Sequence, residues 1–175
     1  MRVLILFLMC VALAGCDRYV DTPQCNAYFK PGDLGGWGVD TKGLATDPRT
    51  GLRWFRCNAG ERFMAGSCTG TAEMLDLASA TAYARDFSAA SGHTWRLPTV
   101  DEMRRLRQTQ CQNPAINTQV FPSVLTEKYW SSDASPYGDW LGCSFYAFNG
   151  NAHCRDLTSS TGPFWLVLDA PRPPR

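Results

Sequence analysis

The sequence has little of what metal enzymes, hydrolases and nucleic-acid binders carry. Its two histidines, His93 and His153, stand far apart and in no HxH or HExxH arrangement, so no imidazole-built metal centre is expected. There is no G-x-S-x-G elbow to raise Ser131 or Ser132 as a nucleophile beside His153 and Asp156. No phosphate loop is present either, because Gly35-Gly36-Trp37-Gly38 is followed by neither a helix signal nor a lysine. Charge of one sign is also missing: 17 Lys+Arg stand against 16 Asp+Glu. That balance excludes the basic footprint of a nucleic-acid binder and the acidic block of a disordered tail. Lysine is scarce, and the cationic side chains are almost all arginine. No cofactor motif is found, and none is expected to be used.

No apolar run exceeds the twelve residues Val3–Ala14, well short of the roughly twenty that cross a bilayer. With Arg2 before it, the run instead has the proportions of a secretory h-region. It ends in Leu13-Ala14-Gly15-Cys16, which resembles the lipobox of bacterial lipoproteins. The resemblance implies cleavage before Cys16 and acylation of that residue, which would hold the chain to a lipid bilayer. The expected organisation is a signal peptide over 1–15, a lipid-anchored irregular arm over 16–46, a domain over 47–170 and a short tail over 171–175. The expected location is the bacterial cell envelope, periplasmic or surface-facing.

An exported chain reads its cysteines as disulfides. Beyond the leader and Cys16 there remain Cys25, Cys57, Cys68, Cys111, Cys143 and Cys154, which allow 15 pairings. Cys57–Cys68 and Cys143–Cys154 would close short local loops containing Gly or Asn. Cys25–Cys111 then follows by elimination. Oxidised in this way, the sulfurs leave no thiolate for zinc.

Along the chain, Leu52–Cys57 alternates as a short strand, with Leu52 and Trp54 on one face. Residues 72–90 switch to a helical period through Met74, Leu77, Ala78, Thr81, Ala84 and Phe87, and Ser91-Gly92 ends the helix. Pro98 keeps Leu97 extended. Thr99-Val100-Asp101-Glu102 is a capping box for a second helix over about 100–109, with Met103 and Leu106 inward. Its Arg104 and Arg105 read as a solvated helix face. Tyr129-Trp130 opens a strand that Ser131-Ser132-Asp133 would leave. Trp140–Phe148 is another strand region, and Asn149-Gly150-Asn151 a tight turn. Phe164–Leu168, five apolar residues without interruption, is expected to be a central strand buried on both faces. Asp133, Asp139 and Asp156 follow no calcium-loop order and read as turn formers. The fold class is α+β, with two helices packed beside a small, mostly antiparallel twisted sheet stapled by disulfides.

Asp47, Thr50-Gly51-Leu52, Trp54, Trp95–Met103, Asn113-Pro114, Phe121-Pro122, Tyr129–Ser132 and Phe164–Leu168 occur in an order that resembles the Lcl C-terminal domain family. The resemblance implies a C-type-lectin-like fold in a surface or secreted bacterial protein; the named member of the family binds sulfated glycosaminoglycans. This chain lacks the Glu-Pro-Asn, Gln-Pro-Asp and Trp-Asn-Asp calcium motifs of sugar-binding lectins. Its expected function is non-enzymatic: an envelope lipoprotein that binds a protein partner, as assembly accessory or toxin inhibitor. Glycan or peptidoglycan binding is the alternative. The residues expected to carry binding are Trp140, Tyr146, Asn149, Asn151 and Ser132, large amphipathic rings beside small hydrogen-bonding side chains. No nucleic-acid partner is expected.

Overall fold

A computed structural model describes residues 22–168. Cys16, the leader and the 171–175 tail lie outside the described residues. The elements run α1 (Cys25–Tyr28), β1 (Gly38–Val39), β2 (Leu44–Thr46), β3 (Arg53–Phe55), β4 (Arg62–Met64), β5 (Ser67–Thr69), α2 (Leu77–Ser91), β6 (Trp95–Arg96), α3 (Val100–Arg104), β7 (Lys128–Ala134), β8 (Leu141–Tyr146), β9 (Asn151–Leu157) and β10 (Val167–Leu168). The strands form three antiparallel sheets: a five-stranded one in the order β1-β2-β3-β10-β6, the hairpin β4-β5, and the meander β7-β8-β9. The fold is thus mixed, with helices, small antiparallel sheets and three disulfides, rather than one sheet with two helices beside it. Among the described residues, no helix is long and apolar enough to cross a membrane.

Strand β10 arrives last and inserts between β3 and β6. Its approach explains the uninterrupted apolar run. Trp165 and Val167 enter one hydrophobic cluster with Trp54, Met103, Phe121 and Phe145. Phe164, Leu166 and Leu168 enter a second with Ala80, Trp95, Leu97 and Trp130. The period is still two, but both faces are covered, so no polar residue interrupts it. The same alternation splits β3, where Trp54 joins the first cluster and Phe55 packs against the second.

Helix α2 is shorter than the sequence period suggests, and its buried face is rotated. Asp76 accepts the Ser79 N–H as N-cap, while Leu75 exchanges two backbone hydrogen bonds with Gly162. That bridge holds the preceding segment extended, which leaves Met74 exposed outside the helix. Ala80 and Ala84 are the fully buried positions, with Leu77, Tyr83 and Phe87 half-buried beside them, whereas Ala78 and Thr81 face solvent. Gly92 closes the helix at φ 69°, a left-handed cap that costs glycine little. Ser88 Oγ then lies 2.8 Å from both the amide nitrogen and the carbonyl oxygen of Trp95. This engages the peptide groups of edge strand β6.

The second helix begins as the motif requires. Thr99 Oγ1 accepts the Glu102 N–H, and Glu102 accepts the Thr99 N–H in return. It ends at Arg104, not near 109. The amides of Arg105, Leu106 and Arg107 bond three residues back, a tightened turn that brings Leu106 inward and Arg107 against Ile116. Asp133 accepts the Val100 N–H at 2.5 Å, and Ser132 donates its N–H to Pro98. Contrary to the sequence reading, Ser131–Asp133 therefore do not leave the strand: β7 continues to Ala134, shifting register against β8 between Trp130 and Ala134, because the Pro98–Val100 segment holds it extended.

Three further differences are local. Residues 38–46, which show no periodicity, contain the β1–β2 hairpin, whose two- and three-residue strands are too short to display one. Strand β9 is not legible at all, because its exposed and half-buried positions are mostly polar. The bridges join Cys25 to Cys111, Cys57 to Cys68 and Cys143 to Cys154, and the first ties α1 to the loop after α3.

The capping box generates a pH-dependent prediction. Burial disfavours the Glu102 carboxylate, but the bidentate Arg96 guanidinium and the Thr99 N–H outweigh it and hold the pKa below the ordinary value. A depressed folded-state pKa stabilises above the unfolded-chain value, about 4.3, and that contribution is lost as the pH falls through the lower folded value. Urea denaturation across this range should show Glu102→Gln less stable at pH 7 and less acid-sensitive than wild type. Thr99→Ala should cost about 1 kcal/mol at pH 7.

Candidate binding surface

The five residues expected to carry binding do not converge. Trp140 precedes β8, whereas Tyr146 ends it, Asn149 lies in the following turn and Asn151 opens β9. Six residues of extended strand separate the two groups by roughly 20 Å. Tyr146 is half-buried and stacks on Phe148 at 5.7 Å. Asn151 borders a cleft with Arg104 and Arg107. Ser132 lies in a different groove, with Thr81, Ser88 and Trp95. Of the neighbouring motif, Tyr129, Trp130 and Ser131 are buried.

One of the five stands out. Trp140 is 62% exposed, and beside it in the chain and across the strand pair are Tyr137 at 56% and Leu157 at 51%. These are three of the seven exposed large hydrophobic side chains among the described residues. Strand pairing explains the grouping: Leu141 pairs with Leu157, and Thr158 donates its N–H to Trp140 O. Near the Cys143–Cys154 bridge the ladder shifts register between Gly142 and Ser144, so that Cys154 and Arg155 together oppose Cys143. Such a bulge re-aims side chains. Arg155 is placed with its guanidinium 4.7 Å from the Tyr137 ring centre and its Nη2 3.3 Å from the Tyr137 hydroxyl.

The loop that carries the two aromatics is held in place. Ser135 donates to Cys154 O and accepts the Tyr137 N–H. Gly138 has φ 128°, and a Cβ there would lie 2.8 Å from Trp140 Nε1, so any other residue would be strained and would displace the indole. A surface of Trp, Tyr and Arg already ordered before contact loses little side-chain entropy on binding. Tyr137 comes from a Ser-Pro-Tyr-Gly stretch legible only as a turn, and Arg155 and Leu157 from a strand without an apolar period. Sequence reasoning therefore reaches Trp140 alone.

The polar clusters have other roles. Asp156 receives Lys128 Nζ at 2.6 Å, His153 Nε2 at 3.0 Å and the Ser144 hydroxyl. Burial raises its pKa, but these three partners more than compensate and hold it below the ordinary carboxylate value. The order is serine–aspartate–histidine, with both Ser144 and His153 on the same carboxylate oxygen. In a hydrolase triad the imidazole stands between serine and acid, to take the hydroxyl proton. Here that proton is directed at the acid, and Ser131 instead contacts Asp133. Cys57, Glu61 and Cys68 lie close enough to surround an ion, but the two sulfurs are joined to each other. Glu61 accepts from Asn58 and Ser123. The family-like residues Asp47, Thr50, Arg96 and Glu102 border a cleft of about 240 Å³, where Arg96 and Glu102 pair with each other at 2.7 Å.

A family model described as the Lcl C-terminal domain matches residues 43–168. No curated protein and no solved structure matches significantly.

Exposure separates Trp140 from a folding tryptophan such as Trp165. Trp140→Ala should change unfolding free energy by no more than about 0.5 kcal/mol, whereas Trp165→Ala should cost about 3–5 kcal/mol. Urea titration of both variants, followed by circular dichroism, measures the difference.

Proposed function

The chain belongs to the Lcl C-terminal domain family, and from that premise we propose that it is a non-enzymatic, lipid-anchored binding module of the bacterial envelope with a C-type-lectin-like fold. Cys16 is the anchor in this reading, facing the periplasm or the cell surface. The partner is a protein, met by the surface of Tyr137, Trp140, Arg155 and Leu157, and the module serves as an assembly accessory or a toxin inhibitor. The observation that carries the reading is the exposed, pre-ordered Trp140 beside an apolar Leu157 and an Arg155 already stacked on Tyr137. Protein interfaces concentrate their energy in this combination of Trp, Tyr and Arg at an apolar centre.

A second reading is glycan or peptidoglycan binding, with a sugar ring stacked on Trp140. It is favoured by the exposure of the indole, and disfavoured because Arg155 already lies over the neighbouring Tyr137 ring. Sugar sites draw their strength from open aromatic faces combined with converging hydrogen-bond groups, and Asn149 and Asn151 are at the other end of β8.

Crosslinking the tagged, lipidated chain in its native envelope, followed by mass spectrometry, tests the proposal. One dominant protein should be captured, and Trp140→Ala should reduce its yield by roughly tenfold or more, the loss of a central contact. Met64→Ala, which removes an exposed side chain elsewhere, should leave the yield unchanged. Cys16→Ala at equal abundance should abolish membrane recovery. Capture of polysaccharide alone, lost in Trp140→Ala, would transfer the assignment to the glycan reading.

A further inference from the structure

The second face of the five-stranded sheet is only partly covered by α2, and its open end forms a cleft of about 280 Å³. We propose that this cleft binds a carboxylate carried on a flat apolar body, such as an aromatic acid. The proposal uses none of the residues of the Trp140 surface.

The floor and wall are apolar and aromatic. Leu44, Phe55 and Leu168 come from β2, β3 and β10, and Phe87 from the last turns of α2. Trp95 meets Phe87 edge-to-face at 5.6 Å and Phe55 at 6.5 Å. Aromatic edges and faces at these angles leave a slot whose preferred occupant is another ring. Trp95 also carries a buried indole N–H with no hydrogen-bond partner among the described residues, an uncommon state for a buried donor.

Among the described residues, the charged groups at this cleft have one sign. Strand register places Trp95, Leu168 and Arg53 side by side across β6, β10 and β3, so a guanidinium stands in an otherwise apolar row. Arg53 is half-buried, and its guanidinium has no hydrogen-bond or ion-pair partner among the described residues. Lys42, from the β1–β2 turn, and His93, from the loop before β6, complete the rim. Among the described residues, no carboxylate borders the cleft. Asp40, two residues before Lys42, accepts the amides of Lys42 and Leu44 within its own turn. Some of the other arginines have an acid beside them, as in Arg96–Glu102, Arg104–Asp101 and Arg85–Asp86. A half-buried arginine facing apolar side chains, with no acid beside it among the described residues, is suited to an anion from outside, and the planar fork of guanidinium matches a carboxylate. The volume accommodates one ring and a short acid arm, not a polymer.

Phenylacetate and its neutral analogue phenylacetamide test the charge requirement directly. Titrated into the full chain and followed by calorimetry and by the indole ¹H–¹⁵N signals, the acid should bind saturably and shift the Trp95 indole resonance. The amide should bind roughly tenfold more weakly. Arg53→Gln should weaken the acid by a similar factor, and Lys42→Gln, at an exposed turn position outside the strands, by a smaller one. Equal binding of acid and amide would overturn the proposal. So would no saturable binding, acid binding indifferent to both substitutions, or a shift confined to the Trp140 indole.

Discussion

The segment Phe164–Leu168, which ends in the two residues of β10, has no solvent side, and the rest of the molecule is arranged around that constraint. A strand buried on both faces needs a hydrophobic layer on each and a hydrogen-bonded neighbour at each edge. β3 and β6 supply the edges. One layer comes from Trp54, Met103, Phe121 and Tyr129, the other from α2, Trp95 and Trp130. Trp165 lies flat on Tyr129, with ring centres 3.6 Å apart, and meets Trp54 edge-on. Tyr129 is in turn fixed by its hydroxyl, which donates to buried Asn58 and accepts from Leu125. Burial pushes this phenol well above its ordinary pKa, so it remains a neutral donor. Segments far apart in sequence are thereby joined through one aromatic stack and one amide.

The motifs that mark the family are parts of this same construction. Trp95 and Leu97 join the second core layer, Arg96 pairs with Glu102, and Thr99 starts α3. Asp133 at the end of the Tyr-Trp-Ser-Ser segment accepts the first amide of that helix. Asp47 is buried in the turn that Thr50 and Gly51 complete. In this chain these positions support the fold, and the proposed binding surface is built from residues outside them. That separation suits a small scaffold whose loops change partner while its core stays constant.

What could be read from the chain follows from the range of the interactions involved. The capping box spans four residues, and each of two cysteine pairs closes a short loop, so both signals are local. The run Phe164–Leu168 is visible because double burial removes the polar alternation. By contrast, the β1–β2 strands are too short to show a period, and β9 takes its place from backbone pairing with β8 and not from any apolar stripe. The end of α3 depends on where Ile116 sits, which local propensity does not encode. Of the proposed binding surface, only Trp140 is legible in the sequence. Tyr137, Arg155 and Leu157 become its neighbours through a hairpin register and a bulge, neither of which leaves a mark on composition.

The Ser88 hydroxyl has a consequence for how molecules of this protein meet one another. By engaging both peptide groups of Trp95, it occupies hydrogen-bonding groups with which another backbone would dock along β6. The opposite edge, β1, is two residues long, too little for lasting strand addition. Along this sheet, copies of the protein are therefore poorly placed to join backbone to backbone, and contact at its two edges is left to side chains.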